Sequence, residues 1–183
     1  MNKKIAVFLV IFIIFSCERN YTANSEKFPV VIESKIIPEE ATKSDDGKIN
    51  LEAKIIGIVD GDTADILYHK LQIRIRLEHI DAPEKRGKQA YGNAAKKVLS
   101  DLCFGQMVTI TSTGEFDRYG RLIGEIFNEE GVNVNKEMVR LGYAWHFKKY
   151  SDDISYDKLE KEAREQRKGL WQEKNAIAPW DFR

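Results

Sequence analysis

Hydrophobic and polar positions change rhythm several times along the chain, and each change predicts an element. Residues 54–59 and 64–68 are rich in β-branched side chains and flank Asp60-Gly61-Asp62-Thr63, which reads as a turn between two strands. After a short connection at His69-Lys70, Ile73, Ile75 and Leu77 alternate with Arg74, Arg76 and Glu78, the period of a third strand. The rhythm then lengthens: Tyr91, Ala94, Ala95, Val98, Leu99 and Leu102 form one apolar stripe at helical spacing, with Gly105 as a stop. Residues 106–111 and 122–127 read as two more strands, joined by a loop holding Gly114, Asp117, Tyr119 and Gly120. Val134, Met138 and Leu141 predict a second helix ended by Gly142. A charged third helix is expected over 155–168, with Leu159 and Ala163 inward and Gly169 closing it. Five strands in two groups around one helix, with helices appended, predict a mainly β domain of α+β type. The expected architecture is a five-stranded OB-type Greek-key barrel with three helices.

Upstream of residue 49 the pattern is of another kind. Asn2-Lys3-Lys4 precedes an uninterrupted apolar run at 5–15. As a helix this run would cover about 16 Å, half of the ~30 Å hydrocarbon core of a bilayer, so it reads as an export signal rather than a span. Ile14-Phe15-Ser16-Cys17 resembles a bacterial lipobox. That resemblance implies a lipoprotein signal peptide over 1–16 and a lipidated Cys17 as the new N-terminus, hence an exported protein anchored in the cell envelope. The alternative is a plain secretory signal cleaved near Ser16, with Cys17 incidental. Residues 17–48 are mostly polar and read as a tether between membrane and domain. Within them the patch Val30-Val31-Ile32, flanked by Pro29 and Pro38, could instead add an edge strand. The domain proper is placed at 49–183.

Composition narrows the classes. The 183 residues are 43% hydrophobic, enough for one sizeable core and too many for a disordered tail. The 29 Lys+Arg are matched by 29 Asp+Glu, so any grip on a polyanion must come from local clusters. Of the two cysteines, Cys17 is assigned to lipid, which excludes a disulfide framework and leaves Cys103 as a small apolar side chain on the first helix.

Candidate chemistry sits in three short segments. Asp60-Gly61-Asp62-Thr63 offers two carboxylates around a flexible glycine, suited to a hard divalent cation but equally a hairpin turn. Arg74 to Glu84 delivers a cation at Arg76 and, past the strand end, carboxylates at Asp81 and Glu84. Arg76 and Asp81 are an odd number of residues apart, so a regular strand would send them to opposite faces; their convergence requires a turn or bulge. Asp117-Arg118-Tyr119-Gly120-Arg121 adds a second guanidinium, whose planar fork suits phosphate.

In this order, Asp-Gly-Asp-Thr, Arg-x₄-Asp-x-Pro-Glu and Asp-x-Tyr-Gly-Arg together resemble the staphylococcal nuclease (thermonuclease) family. The resemblance runs from about Leu51 to the end and takes in Val139-Arg140 with Gly142, and the closing Pro-Trp-Asp-Phe-Arg. It implies an OB-type barrel that cuts DNA and RNA with one Ca²⁺, as a monomer. It further implies that Asp62 and Asp81 are calcium carboxylates, with the backbone carbonyl of Ala82 as a further ligand. Glu84 would be the general base, Arg76 and Arg121 the phosphate-holding arginines, and Asp60 a supporting acid. The implied cleavage is of the P–O5′ bond, leaving 3′-phosphate products. Charge chemistry agrees with these roles: attack on an anionic phosphodiester needs the added negative charge neutralised, which a cation and two guanidiniums can do.

Other residues have plainer readings. His69, His79 and His146 lack zinc spacing, and His79 reads as a polar strand-end residue. Tyr119 is expected to contact substrate, and Tyr150 is a weaker candidate for stacking. Lys85, Arg86, Lys88, Arg118, Lys148 and Lys149 form either a basic rim for the polyanion or ordinary solvated surface. Two rival functions are a non-catalytic nucleic-acid-binding barrel and a lipoprotein in which calcium is structural.

Overall fold

The computed structural model describes residues 42–43 and 47–183. The signal segment 1–16, Cys17 and the patch at 30–32 lie outside the described residues. No helix among the described residues is long and apolar enough to cross a membrane.

The chain order is β1 (Thr42–Lys43), β2 (Ile49–Asp60), β3 (Thr63–Tyr68), β4 (Leu71–Leu77), β5 (Ile80–Asp81), α1 (Gly92–Cys103), β6 (Met107–Ser112) and β7 (Leu122–Phe127). It continues with α2 (Val134–Arg140), β8 (Trp145–His146), α3 (Ile154–Glu165), a 3-10 turn (Gly169–Gln172) and α4 (Pro179–Phe182). Strands β2, β3 and β4 form an antiparallel meander; β4 then pairs in parallel with β7, β7 antiparallel with β6, and β6 returns to β2. The five predicted strands thus close into one mixed barrel, which removes open edges. Strand β2 is long enough to serve two partners, with 49–54 on β6 and 54–60 on β3.

Alternation explains which face is inside. Leu51, Ala53 and Ile55 of β2, Ala64 and Ile66 of β3, Ile75 and Leu77 of β4, and Val108 and Ile110 of β6 are buried in one core with Leu122 and Ile126 of β7. Helix α1 covers one end with Ala95, Leu99 and Cys103. Cys103 is fully buried, its Sγ lies 3.2 Å from the Leu99 carbonyl, and burial pushes its thiol up to about 12. It is therefore an inert packing residue.

The three predicted helices are present, with two differences. Helix α3 stops at Glu165 rather than near 168, and Gly169 opens the 3-10 turn instead of closing the helix. Gly169 has φ +51°, and a Cβ there would lie 2.2 Å from the Gly142 oxygen, so the two glycines let this turn dock on the loop after α2. Four short elements escaped the pattern: β1, which pairs with Ile49 and Asn50 of β2, the two-residue strands β5 and β8, which pair with each other, and α4, all too brief to show a period. A smaller core of Trp145, Ala163, Leu170, Trp171 and Ala178 fastens α3 and the 3-10 turn beside β8.

Candidate active site

The site forms where the β2–β3 turn meets the segment after β4. Gly61 makes that meeting tight: a Cβ on it would lie 2.7 Å from the Cβ atoms of both Ala82 and Ala95. The next residue, Asp62, is thereby pressed against the 81–82 backbone, and its Oδ2 accepts from the Ala82 amide at 2.9 Å. Its Oδ1 accepts from Thr63 Oγ1 at 2.9 Å.

Arg76 and Asp81 converge through a left-handed turn. Strand β4 ends at Leu77, His79 adopts φ +68°, and β5 carries Ile80 and Asp81 back onto β8. Asn135 of α2, fully buried, braces this turn by donating to the Glu78 carbonyl at 3.0 Å and the Gly124 carbonyl at 3.2 Å. Its Oδ1 accepts from the Ile126 amide. Arg76 then donates Nη1 to the carbonyls of Leu77 at 2.7 Å and Ile80 at 2.8 Å. Its Nη2 reaches Asp81 Oδ1 at 2.9 Å and Asp62 Oδ2 at 3.2 Å. One nitrogen touching a carboxylate oxygen from each of two distant segments brings both oxygens within reach of a single shared cation, here the guanidinium.

Around this pair the other residues arrange as follows. Glu84 is half-buried; its amide donates to Gln89 Oε1 at 2.8 Å, and its carboxylate receives Arg183 Nη1 at 2.9 Å. Arg183 Nη2 also contacts the second oxygen of Asp81. Asp60 accepts from the Gly61 amide at 2.9 Å and the Lys85 amide at 3.3 Å, tying the β2–β3 turn to the Glu84 loop. Arg121 is aligned by Asp117, which accepts from its Nε at 2.7 Å, while its Nη1 approaches Thr63 Oγ1 at 3.5 Å. Thr63 faces Arg76 in the β3–β4 register, so Arg121 approaches the residue that stands opposite Arg76. Exposed Tyr119 lies under Arg121, 5.4 Å from guanidinium carbon to ring centre, and under Arg118 at 4.7 Å. The amide of Ala82, on Asp62, is its engaged backbone group.

Electrostatics mark the acids as crowded. Burial, then the nearby Asp62 charge, pushes Asp81 up to about 7, against the pull of Arg76 and Arg183. Burial also raises Glu84, opposed mainly by Arg183, and raises Asp60. Asp117 is lowered: hydrogen bonds from Arg121 and Tyr119 outweigh its burial. Carboxylates packed this closely are held back from ionising together, which is the condition that a further cation relieves.

Several expected residues lie elsewhere. Tyr150 packs on Phe147 at 4.9 Å between ring centres. His79 Nδ1 and His146 Nε2 both hydrogen-bond the Ser151 hydroxyl at 2.9 Å, a structural role. The six basic-rim residues are exposed, but Lys148 is tied to Asp157. A second group of metal-type donors, His146, Asp157 and Glu160, includes none of the expected ligands, and Lys148 and Arg164 already pair its carboxylates. Sequence reasoning assigned no role to Arg183, Thr63 or Gln89. The first was visible only as the end of Pro-Trp-Asp-Phe-Arg, and its approach to Asp81 is a long-range contact without local signal.

The known proteins that this chain resembles include nucleases. Residues 74–173 match the family model described as staphylococcal nuclease homologue. An uncharacterized endonuclease of Escherichia coli O157:H7 is 39% identical over 134 residues, covering 73% of this chain and 86% of that protein. A micrococcal nuclease of Shigella flexneri is 40% identical over 144 residues, 73% of this chain and 81% of its own. A probable staphylococcal-like nuclease of Oryza sativa subsp. japonica is 40% identical over 110 residues, 60% of this chain and 32% of the longer plant protein.

Proposed function

The chain belongs to the staphylococcal nuclease family and is a nucleic-acid hydrolase, and from that premise we propose that it cleaves DNA, RNA or both in a Ca²⁺-dependent reaction at the Asp62–Asp81 site. The observation that carries this reading is the shared contact of Arg76 Nη2 with both carboxylates. The donor set fits the ion. It is made of oxygens alone, which suits a hard cation, and the burial and neighbouring Asp62 charge that raise Asp81 are both relieved by one. Asp62, Asp81 and the Ala82 carbonyl would hold the ion. When bound it would supply positive charge beside a non-bridging phosphate oxygen.

The protein's own groups do the rest. Glu84, with its proton affinity raised by burial, takes a proton from the attacking water. The water oxygen bonds to phosphorus as the P–O5′ bond breaks, O5′ takes a proton from solvent, and the products carry a 3′-phosphate and a free 5′-hydroxyl. Arg76 and Arg121 stabilise the negative charge that develops on the phosphoryl oxygens, and Asp60 holds the two loops together. Tyr119 offers an exposed ring at the Arg121 side for a base or sugar. The protein acts as a monomer, exported and anchored by lipid on Cys17, a reading supported by the sequence of residues 2–17. Digestion of plasmid and RNA with Ca²⁺, with excess chelator, and with Glu84→Gln tests the chemistry in one gel. Cleavage is expected only for wild type with Ca²⁺. Full activity in chelator would overturn the calcium assignment, and an unimpaired Glu84→Gln would remove the base.

A further inference from the structure

The pocket contains a guanidinium that this scheme does not use. Arg183 follows α4 and contacts Glu84 Oε1 through Nη1 and Asp81 Oδ2 through Nη2. Since Arg76 holds Asp81 Oδ1, both oxygens of this fully buried carboxylate are covered by the chain's own cations.

The two arginines are held very differently. Arg76 is 13% exposed and pinned by the carbonyls of Leu77 and Ile80, so its guanidinium is fixed in place. The Arg183 side chain is 46% exposed, and among the described residues its guanidinium bonds the two carboxylates and no backbone carbonyl. Its backbone is anchored by neighbours: Trp180 stacks on Phe147 at 5.2 Å between ring centres, and Gln89 donates to the Ile177 carbonyl at 2.8 Å. Phe182 packs over Gly87, where a Cβ would come within 3.1 Å of its ring. The segment is thus docked by aromatic contacts while the guanidinium is the free end of a flexible, half-solvated side chain.

A divalent ion and Arg183 compete for the same lone pairs on Asp81, and like charges side by side repel. The group with backbone anchors stays, and the one without them yields. We propose that Arg183 is the resident counter-ion of the metal site: it neutralises and orients Asp81 and Glu84 in the metal-free protein and swings off Asp81 into solvent when a divalent cation loads. Metal affinity is then lowered by the fraction of molecules in which Arg183 is closed on the site. The inference rests on the assignment of Asp62 and Asp81 as the metal carboxylates.

Calorimetric titration of the purified full chain with Ca²⁺ tests it, using wild type, Arg183→Ala, Arg183→Gln, Arg183→Lys and Asp62→Asn. Both neutral Arg183 variants are expected to bind Ca²⁺ about fivefold or more tightly than wild type, and Arg183→Lys to return towards the wild-type Kd. The neutral variants should also melt at lower temperature without metal, and at the wild-type temperature in saturating Ca²⁺. Unchanged or weaker affinity in both neutral variants, with binding still abolished by Asp62→Asn, overturns the counter-ion role and leaves the site standing. Absent binding in wild type, or undiminished binding in Asp62→Asn, overturns the site and the inference with it.

Discussion

Replacing Arg76 by lysine keeps the charge and removes the fork, which separates geometry from electrostatics. Arg76 spends Nη1 on two backbone carbonyls and Nη2 on two carboxylates. An ammonium has three donors around one point and cannot reach Leu77, Ile80, Asp62 and Asp81 together. Loss of two side-chain hydrogen bonds of charged type costs about 3 kcal/mol of stability if the carbonyls are left unpaired. Loss of one preorganised donor to the phosphoryl group costs about 10²- to 10³-fold in kcat. The assay is hydrolysis of a quenched fluorescent oligonucleotide at saturating Ca²⁺, at a temperature where circular dichroism shows the variant fully folded. A folded Arg76→Lys protein with kcat within a few-fold of wild type would refute the phosphate role, because charge alone would then suffice.

Two further predictions concern the site's scaffold. Metal-free wild type should lose stability relative to Asp81→Asn as pH rises from about 4 to about 7, and no further above. The folded protein keeps the Asp81 proton up to about 7 whereas the unfolded chain releases it near the ordinary 3.8, so the unfolded state is favoured across that window by roughly 1.4 kcal/mol per unit at most. Chemical denaturation at several pH values in chelator measures this, and a flat difference would contradict the buried-acid assignment. Asn135→Ala should destabilise by about 2–4 kcal/mol, since it orphans the Ile126 amide and the Glu78 carbonyl, whereas the Gly124 carbonyl keeps the Glu78 amide. The urea midpoint reads it out, and a change under 0.5 kcal/mol would show that Asn135 does not brace the turn.

Much of the molecule is legible in one dimension because its cause is local. Alternation in Ile73–Leu77 follows from a strand with one face in a core, and the stripe from Ala95 to Leu102 from a helix laid on it. The turn at Asp60-Gly61-Asp62 is equally local, although the reason its glycine must be small is the distant Ala82 and Ala95. Helix α3 ends early because Arg167 turns left-handed at φ +50° and the Lys168 amide bonds back to the Ala163 carbonyl, which leaves Gly169 to dock on Gly142.

The sequence by itself determined the five strands, the three main helices and the set of acids and arginines, because periodicity and residue chemistry are properties of short stretches. Only the tertiary structure decided that β4 runs parallel to β7, that a left-handed His79 turns Asp81 back towards Arg76, and that Arg183 closes over Asp81 and Glu84. These depend on contacts between residues far apart in the chain, where closure of the barrel, and no local preference, brings the charges into one pocket.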